Sequence, residues 1–120
     1  MNDLRVNVIS TLHVLCSKDA QFDVYRSVDP GTEVDVAQHL WHRWCQEAYL
    51  PHAEGFVAGF SPDERDRLHS FTNFFESRLS RFPSVFEKLM VDIYWLSVIE
   101  YARALLDELR ESDVAANSAC

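Results

Sequence analysis

Between Ser61 and Pro83 the apolar residues Leu68, Phe71, Phe75, Leu79 and Phe82 recur at intervals of three and four. That spacing gathers them on one face of a helix, whereas a strand, with its period of two, would scatter them over both faces. The flanks agree with the period. Ser61 is suited to cap the first turn, Pro62 gives up only an amide that would be unpaired there, and Glu64 can reach back to the Ser61 amide. Pro83 stops the helix after about Arg81. A helix with so wide an apolar stripe has to bury it against other elements, and the rest of the sequence offers more helices to do so.

The first runs from Asp3, a suitable N-cap, to Ser17, with Leu4, Val8, Leu12 and Leu15 on one face and Ile9 and Cys16 beside them. Residues 18–31 are open to two readings. Phe22, Tyr25 and Val28 fit a helical turn, while Phe22 and Val24 fit a short extended piece. Asp29-Pro30-Gly31 is a turn, because proline presets φ and glycine admits positive φ. Thr32 then opens a second helix, with Asp35 three residues on, ending near Tyr49 before Pro51. Ser84 and Glu87 form another box at the head of a long helix that reaches Glu111. With three glycines and four prolines in 120 residues, there is little material for loops. The expectation is an all-α bundle of four main helices forming one domain over residues 1–111. Short extra helices are expected within 18–29 or 50–60, and a frayed tail over 112–120.

The long helix is apolar on two sides. Val85, Phe86, Leu89, Ile93 and Leu96 lie on one; Tyr94, Trp95, Val98, Ala102, Leu105, Leu106 and Leu109 lie nearly opposite. Such a helix is surrounded. It is expected to be the most central of the four, or else to lend Tyr94, Trp95, Val98, Tyr101 and Leu105 to a second copy in a homodimer.

The stretch HLWHRWCQEAYLPH, residues 39–52, carries three histidines, a cysteine and two tryptophans. At 100° per residue, Ala37, Leu40, Trp41, Trp44 and Ala48 form the core stripe, with Cys45 on its border. Asp35, His39, His42 and Gln46 fall on the opposite face. Aspartate and histidine suit zinc, so a small metal-dependent hydrolase using Asp35, His39 and His42 is the enzymatic alternative. A single solvated helix face supplies no enclosing wall, however, and the reading preferred here is an amphipathic helix with no metal or cofactor.

Other catalytic signatures are missing from the sequence. There is no G-x-S-x-G, and Gly55 and Gly59 precede a helix without the lysine and serine or threonine of a phosphate loop. They are expected to be turns that fold Phe56, Val57 and Phe60 over the core. The neighbouring charges Glu100, Arg103 and Asp107 are placed to pair along the last helix.

Charge is the strongest functional signal. The net charge is −8, and it is uneven. Residues 19–64 hold nine acids against Arg26 and Arg43, a balance of −7, while residues 65–88 hold five bases against three acids. Phosphate backbones would be repelled, so nucleic acid is excluded as a partner. Three cysteines without a C-x-x-C pair, a start without a signal peptide, and an apolar stretch interrupted by Asp92, Glu100 and Arg103 place the protein in the cytoplasm, away from any membrane. The expected function is non-enzymatic: an acidic face that docks on or inhibits a basic protein partner, steered by charge. Asp19, Asp23, Asp29, Glu33 and Asp35 would carry it, with Tyr25 as an aromatic anchor. Immunity and inhibitor proteins are similar in size and charge, and in nothing more specific. The alternative without a partner protein is a bundle that binds a small apolar ligand or self-associates.

Overall fold

A computed structural model describes residues 3–26 and 35–118, and every regular element among them is helical. Helix α1 spans Asp3–Leu15, α2 Lys18–Arg26, α3 Val36–Arg43, α4 Glu54–Gly59, α5 Pro62–Arg78, α6 Phe86–Leu89 and α7 Ile93–Ser118. A π-helical turn, Trp44–Ala48, continues α3, and a short 3₁₀ turn, Leu79–Arg81, continues α5. The Asp29-Pro30-Gly31 turn and the Thr32 helix start lie outside the described residues.

Local chemistry accounts for most of the boundaries. Ser61 and Glu64 close the expected capping box: the Ser61 Oγ accepts from the Glu64 amide at 3.2 Å, and the Glu64 carboxylate accepts from the Ser61 amide at 2.9 Å. Helix α3 is capped by Asp35, whose carboxylate accepts from the Gln38 amide at 3.1 Å. Over residues 18–26 helix α2 decides between the two readings in favour of the helix, with the Ser17 hydroxyl accepting from the Ala20 amide at 3.2 Å; Val28 lies outside the described residues. The short helices expected around 18–29 and 50–60 are α2 and α4. Gly55 and Gly59 accordingly sit inside α4 and not in turns; Phe56 and Phe60 are buried as expected, but Val57 faces out.

The long helix expected from Ser84 to Glu111 is two helices. Val85, not Ser84, precedes α6 and gives no side-chain cap. The chain breaks at 90–92, where Asp92 starts α7 by accepting from the Trp95 amide at 3.0 Å. A carboxylate free to cap competes with helix continuation, and here capping wins. The break divides the first apolar side: Phe86 and Leu89 turn inward from α6, whereas Ile93 and Leu96 of that side, and all of the other side, belong to α7. Helix α7 runs on through residues 112–118 to Ser118.

One core joins these helices. Val8, Leu12 and Leu15 of α1, Ala37 and Leu40 of α3, Trp44 of the π-turn, Phe71 and Phe75 of α5, and Trp95, Val98 and Ala102 of α7 are inaccessible to solvent or nearly so. Helix α1 packs against α7, the π-turn, α2, α4 and α3. Its apolar residues run round more than one side, with Thr11 buried by donating to the Asn7 carbonyl at 2.8 Å. Aromatic edges fill the space between α3, α5 and α7. Trp44 meets Phe71 edge-on at 5.3 Å, and Trp95 meets Phe75 at 5.9 Å and Phe82 at 5.2 Å. Each such pair contributes about 0.5–1.5 kcal/mol beyond its buried area.

Candidate functional site

Helix α2 has one inward and one outward face. Gln21 is fully buried; its amide nitrogen donates to the carbonyls of Val14 and Leu15, and its oxygen accepts from the Trp95 indole. This fixes the rotation of the helix. Asp19, Phe22, Asp23 and Arg26, spaced i, i+3, i+4 and i+7, are exposed as a consequence. Tyr25 is half-buried and lies flat on Phe86, centroids 4.5 Å apart and planes 12° from parallel. Phe22 meets the same ring at 6.0 Å, and the Arg26 guanidinium lies over the Phe22 ring at 4.9 Å and donates to Asp23 at 2.8 Å.

Phe86 belongs to the elbow between α5 and α7, so these ring contacts seat α2 against that elbow. Around it the chain exposes Val85 at 48%, Val91 at 74% and Ile93 at 73%, and Phe22 is exposed at 45%. Of the six large exposed hydrophobic residues among the described ones, Val85, Val91 and Ile93 follow one another along the elbow, and Phe22 meets Phe86 of the same elbow. Singly scattered apolar residues are ordinary on a surface, but a concentration of them marks a contact site. Exposed charges surround it: Asp19, Asp23 and Glu87, with Arg26 and Lys88.

Of the residues expected to bind a partner, Asp19, Asp23 and Tyr25 come together at this corner. Asp35 stands at the start of α3, where its carboxylate caps the helix. Asp29 and Glu33 lie outside the described residues. Other acids of the −7 segment are used internally: Glu47 with Arg43 at 3.6 Å, Asp63 with Arg67 at 3.5 Å, and Glu64 with Arg5 at 3.1 Å. The acidity available for docking is narrower than the sequence count implied. Val91 and Ile93 were missed as surface residues because a continuous helix would have buried part of that face; the one available signal was Asp92 between them.

The metal-type face separates in the same way. His39 and His42 are exposed and border a shallow depression with Arg43, Gln46 and Glu47, while Asp35 is held at the helix start. Among the described residues no group of three or more His, Cys, Asp and Glu is placed to hold a metal ion. The face proposed for a second copy is covered by the chain itself. Trp95, Val98 and Leu105 are buried; Tyr101 packs on Phe71 and Phe74 at 5.2 and 5.1 Å; and Tyr94 sits beneath Arg81. Tyr94, Trp95 and Tyr101 thus lie against α5 and its 3₁₀ turn. Arg103 does not pair with Asp107 or Glu100, and donates instead to the Cys16 carbonyl at 3.2 Å. No helix among the described residues is long and apolar enough to cross a membrane.

Compared with known proteins, the chain matches no family model, no curated protein and no solved structure.

Proposed function

We propose that this chain is a non-enzymatic cytoplasmic binding protein that docks on a basic protein partner through the corner formed by α2 and the α6–α7 elbow. In this reading α1, α3 with its π-turn, α5 and α7 form a four-helix scaffold. The scaffold holds Phe22, Val85, Val91 and Ile93 as an apolar centre, and Asp19, Asp23 and Glu87 as a charged border. The supporting observation is the exposure of Val91 and Ile93 at 74% and 73%, the highest among the large apolar residues described, on the elbow whose Phe86 ring meets the exposed Phe22. Apolar anchors ringed by charge are the general anatomy of protein interfaces. A net charge of −8 favours a partner of opposite sign and speeds encounter with it.

The test is capture from the source cell at low and at high salt, with three baits: the wild-type chain, Asp19→Lys with Asp23→Lys, and Val91→Ser with Ile93→Ser. A basic protein retained by the wild type at low salt, and lost by both double variants, is the expected result. Retention of nothing, or of a protein indifferent to both pairs of substitutions, would end the proposal.

A further inference from the structure

We infer that the cleft between the α1–α2 junction and α7 binds a small organic monoanion: a carboxylate carried on an apolar body. The cleft measures about 710 Å³, within the size range of small-molecule sites. Its cations come from two separate elements, Lys18 at the start of α2 and Arg103 and Arg110 on α7, while Cys16, Ile99 and Leu106 supply an apolar floor.

The bases of this acidic chain are otherwise largely engaged. Arg5 forks onto Glu64, Arg26 pairs with Asp23, Arg43 with Glu47, and Arg67 with Asp63 and Glu108. Arg78 and Arg81 lie over the rings of Phe74 and Tyr94. Among the described residues Lys18, Arg103 and Arg110 form no salt bridge, although all three border the same cleft. Arg103 and Arg110 are seven positions apart, so they project from one side of α7 about 10 Å from each other. Arg103 is anchored by the Cys16 carbonyl. A guanidinium held in place by a backbone acceptor keeps other N–H groups for a second, charged acceptor.

The lining also limits what fits. Asp19 and Asp107 border the cleft and His13 stands at its edge, so with the histidine neutral the lining charge is three bases against two acids. One negative charge is matched; a polyphosphate or nucleic acid would meet both carboxylates and be disfavoured. The thiol of Cys16, bonded to the His13 carbonyl at 3.4 Å, is held above its ordinary pKa by burial, so the floor is uncharged as an apolar body requires. This cleft shares Asp19 with the charged border of the corner, but its cations and apolar floor use neither Phe22 nor the elbow, and Arg103, Arg110 and Asp107, the residues altered below, take no part in the docking reading.

The experiment is titration of the purified chain with decanoate and, separately, with decanol, followed by calorimetry and by amide chemical-shift mapping. Decanoate should bind and shift the amides around Cys16, Ile99 and Leu106, and decanol should bind at least tenfold more weakly. Arg103→Gln with Arg110→Gln should weaken decanoate at least tenfold. Asp107→Asn, which leaves every cation in place, should tighten it severalfold, an effect that general loss of structure cannot produce. Both altered sites are exposed, and circular dichroism checks that the helices persist. Three results would each overturn the inference: equal binding of decanol and decanoate, unchanged affinity in the arginine double variant, or no binding of decanoate at millimolar concentration.

Discussion

The Trp95 indole donates to the Gln21 side-chain oxygen at 3.0 Å, across 74 positions of sequence and with both residues fully buried. The same glutamine closes the end of α1 by donating to the carbonyls of Val14 and Leu15 at 3.1 and 3.0 Å. Carbonyls in the last turn of a helix have no partner within it. One side chain therefore satisfies two backbone acceptors and one indole donor in the core, and in doing so sets which face of α2 looks outward.

Replacing Gln21 with Leu should cost about 3 kcal/mol, because three buried groups lose their partner and each unsatisfied group costs about 1–3 kcal/mol where solvent cannot replace it. Urea denaturation followed by tryptophan fluorescence measures this. A loss below about 1 kcal/mol would show that water enters the site and that the glutamine does not organise the junction.

A second buried tryptophan depends on a shorter connection. Trp44 donates to the Thr72 hydroxyl at 2.9 Å, and that hydroxyl donates to the Leu68 carbonyl at 2.8 Å. Thr72→Val keeps the shape and removes the acceptor, so it should destabilise by about 1–2 kcal/mol. Thr72→Ser, which keeps the hydroxyl and loses a methyl, should cost less. Equal losses for the two would mean that packing, not the hydrogen bond, holds Trp44 in place.

What the sequence revealed depended on how local the cause was. The Ser61–Glu64 box was legible because all its participants lie within four residues. The stripe of Ala37, Leu40, Trp44 and Ala48 was legible because burial follows the helical period. The division at 90–92 was not, since the apolar period runs through it and Asp92 reads equally well as a helix-surface charge or as a cap. The roles of Arg5 and Gln21 were out of reach for a different reason: their partners lie 59 and 74 positions away, and no periodicity encodes them. The same holds for the corner around Phe22, whose exposure follows from the rotation Gln21 imposes.

Acid should weaken the junction of α1 and α5. Burial alone would raise the Glu64 pKa, but the Arg5 fork and the Ser61 contacts outweigh it and hold the carboxyl below the ordinary range. A lowered folded pKa gives stability that is complete above the unfolded value, about 4.3, and is lost as pH falls through the folded value. The side chains of Arg5 and Glu64 are 17% and 14% exposed, between a surface pair and a core pair, so Glu64→Gln should cost about 2 kcal/mol at neutral pH. The difference between wild type and variant should shrink as pH drops below about 4. Urea midpoints for both chains between pH 3 and 7 test this, and a difference that stays constant over that range would contradict the assignment.

The elbow separates surface residues from core residues within five positions. Leu89 is 1% exposed, and Val91 and Ile93 are 74% and 73% exposed. Leu89→Ala should therefore cost about 2–5 kcal/mol through the cavity it leaves. Val91→Ser with Ile93→Ser should change stability by no more than about 1 kcal/mol, since substitutions at exposed sites fall within about 0.5 kcal/mol each. If the pair serves only as solvent-facing surface, the double variant should behave as the wild type in every assay. If the corner docks a partner, the double variant should keep its melting curve and its helical spectrum but lose at least tenfold in affinity, mostly through faster dissociation, because removing apolar anchors leaves charge-steered encounter intact. Lysine at positions 19 and 23 should act on the other rate, slowing association and flattening its salt dependence. Surface-plasmon kinetics of the two variants against the captured protein separate these outcomes, and a double serine variant with unaltered dissociation would remove Val91 and Ile93 from the interface.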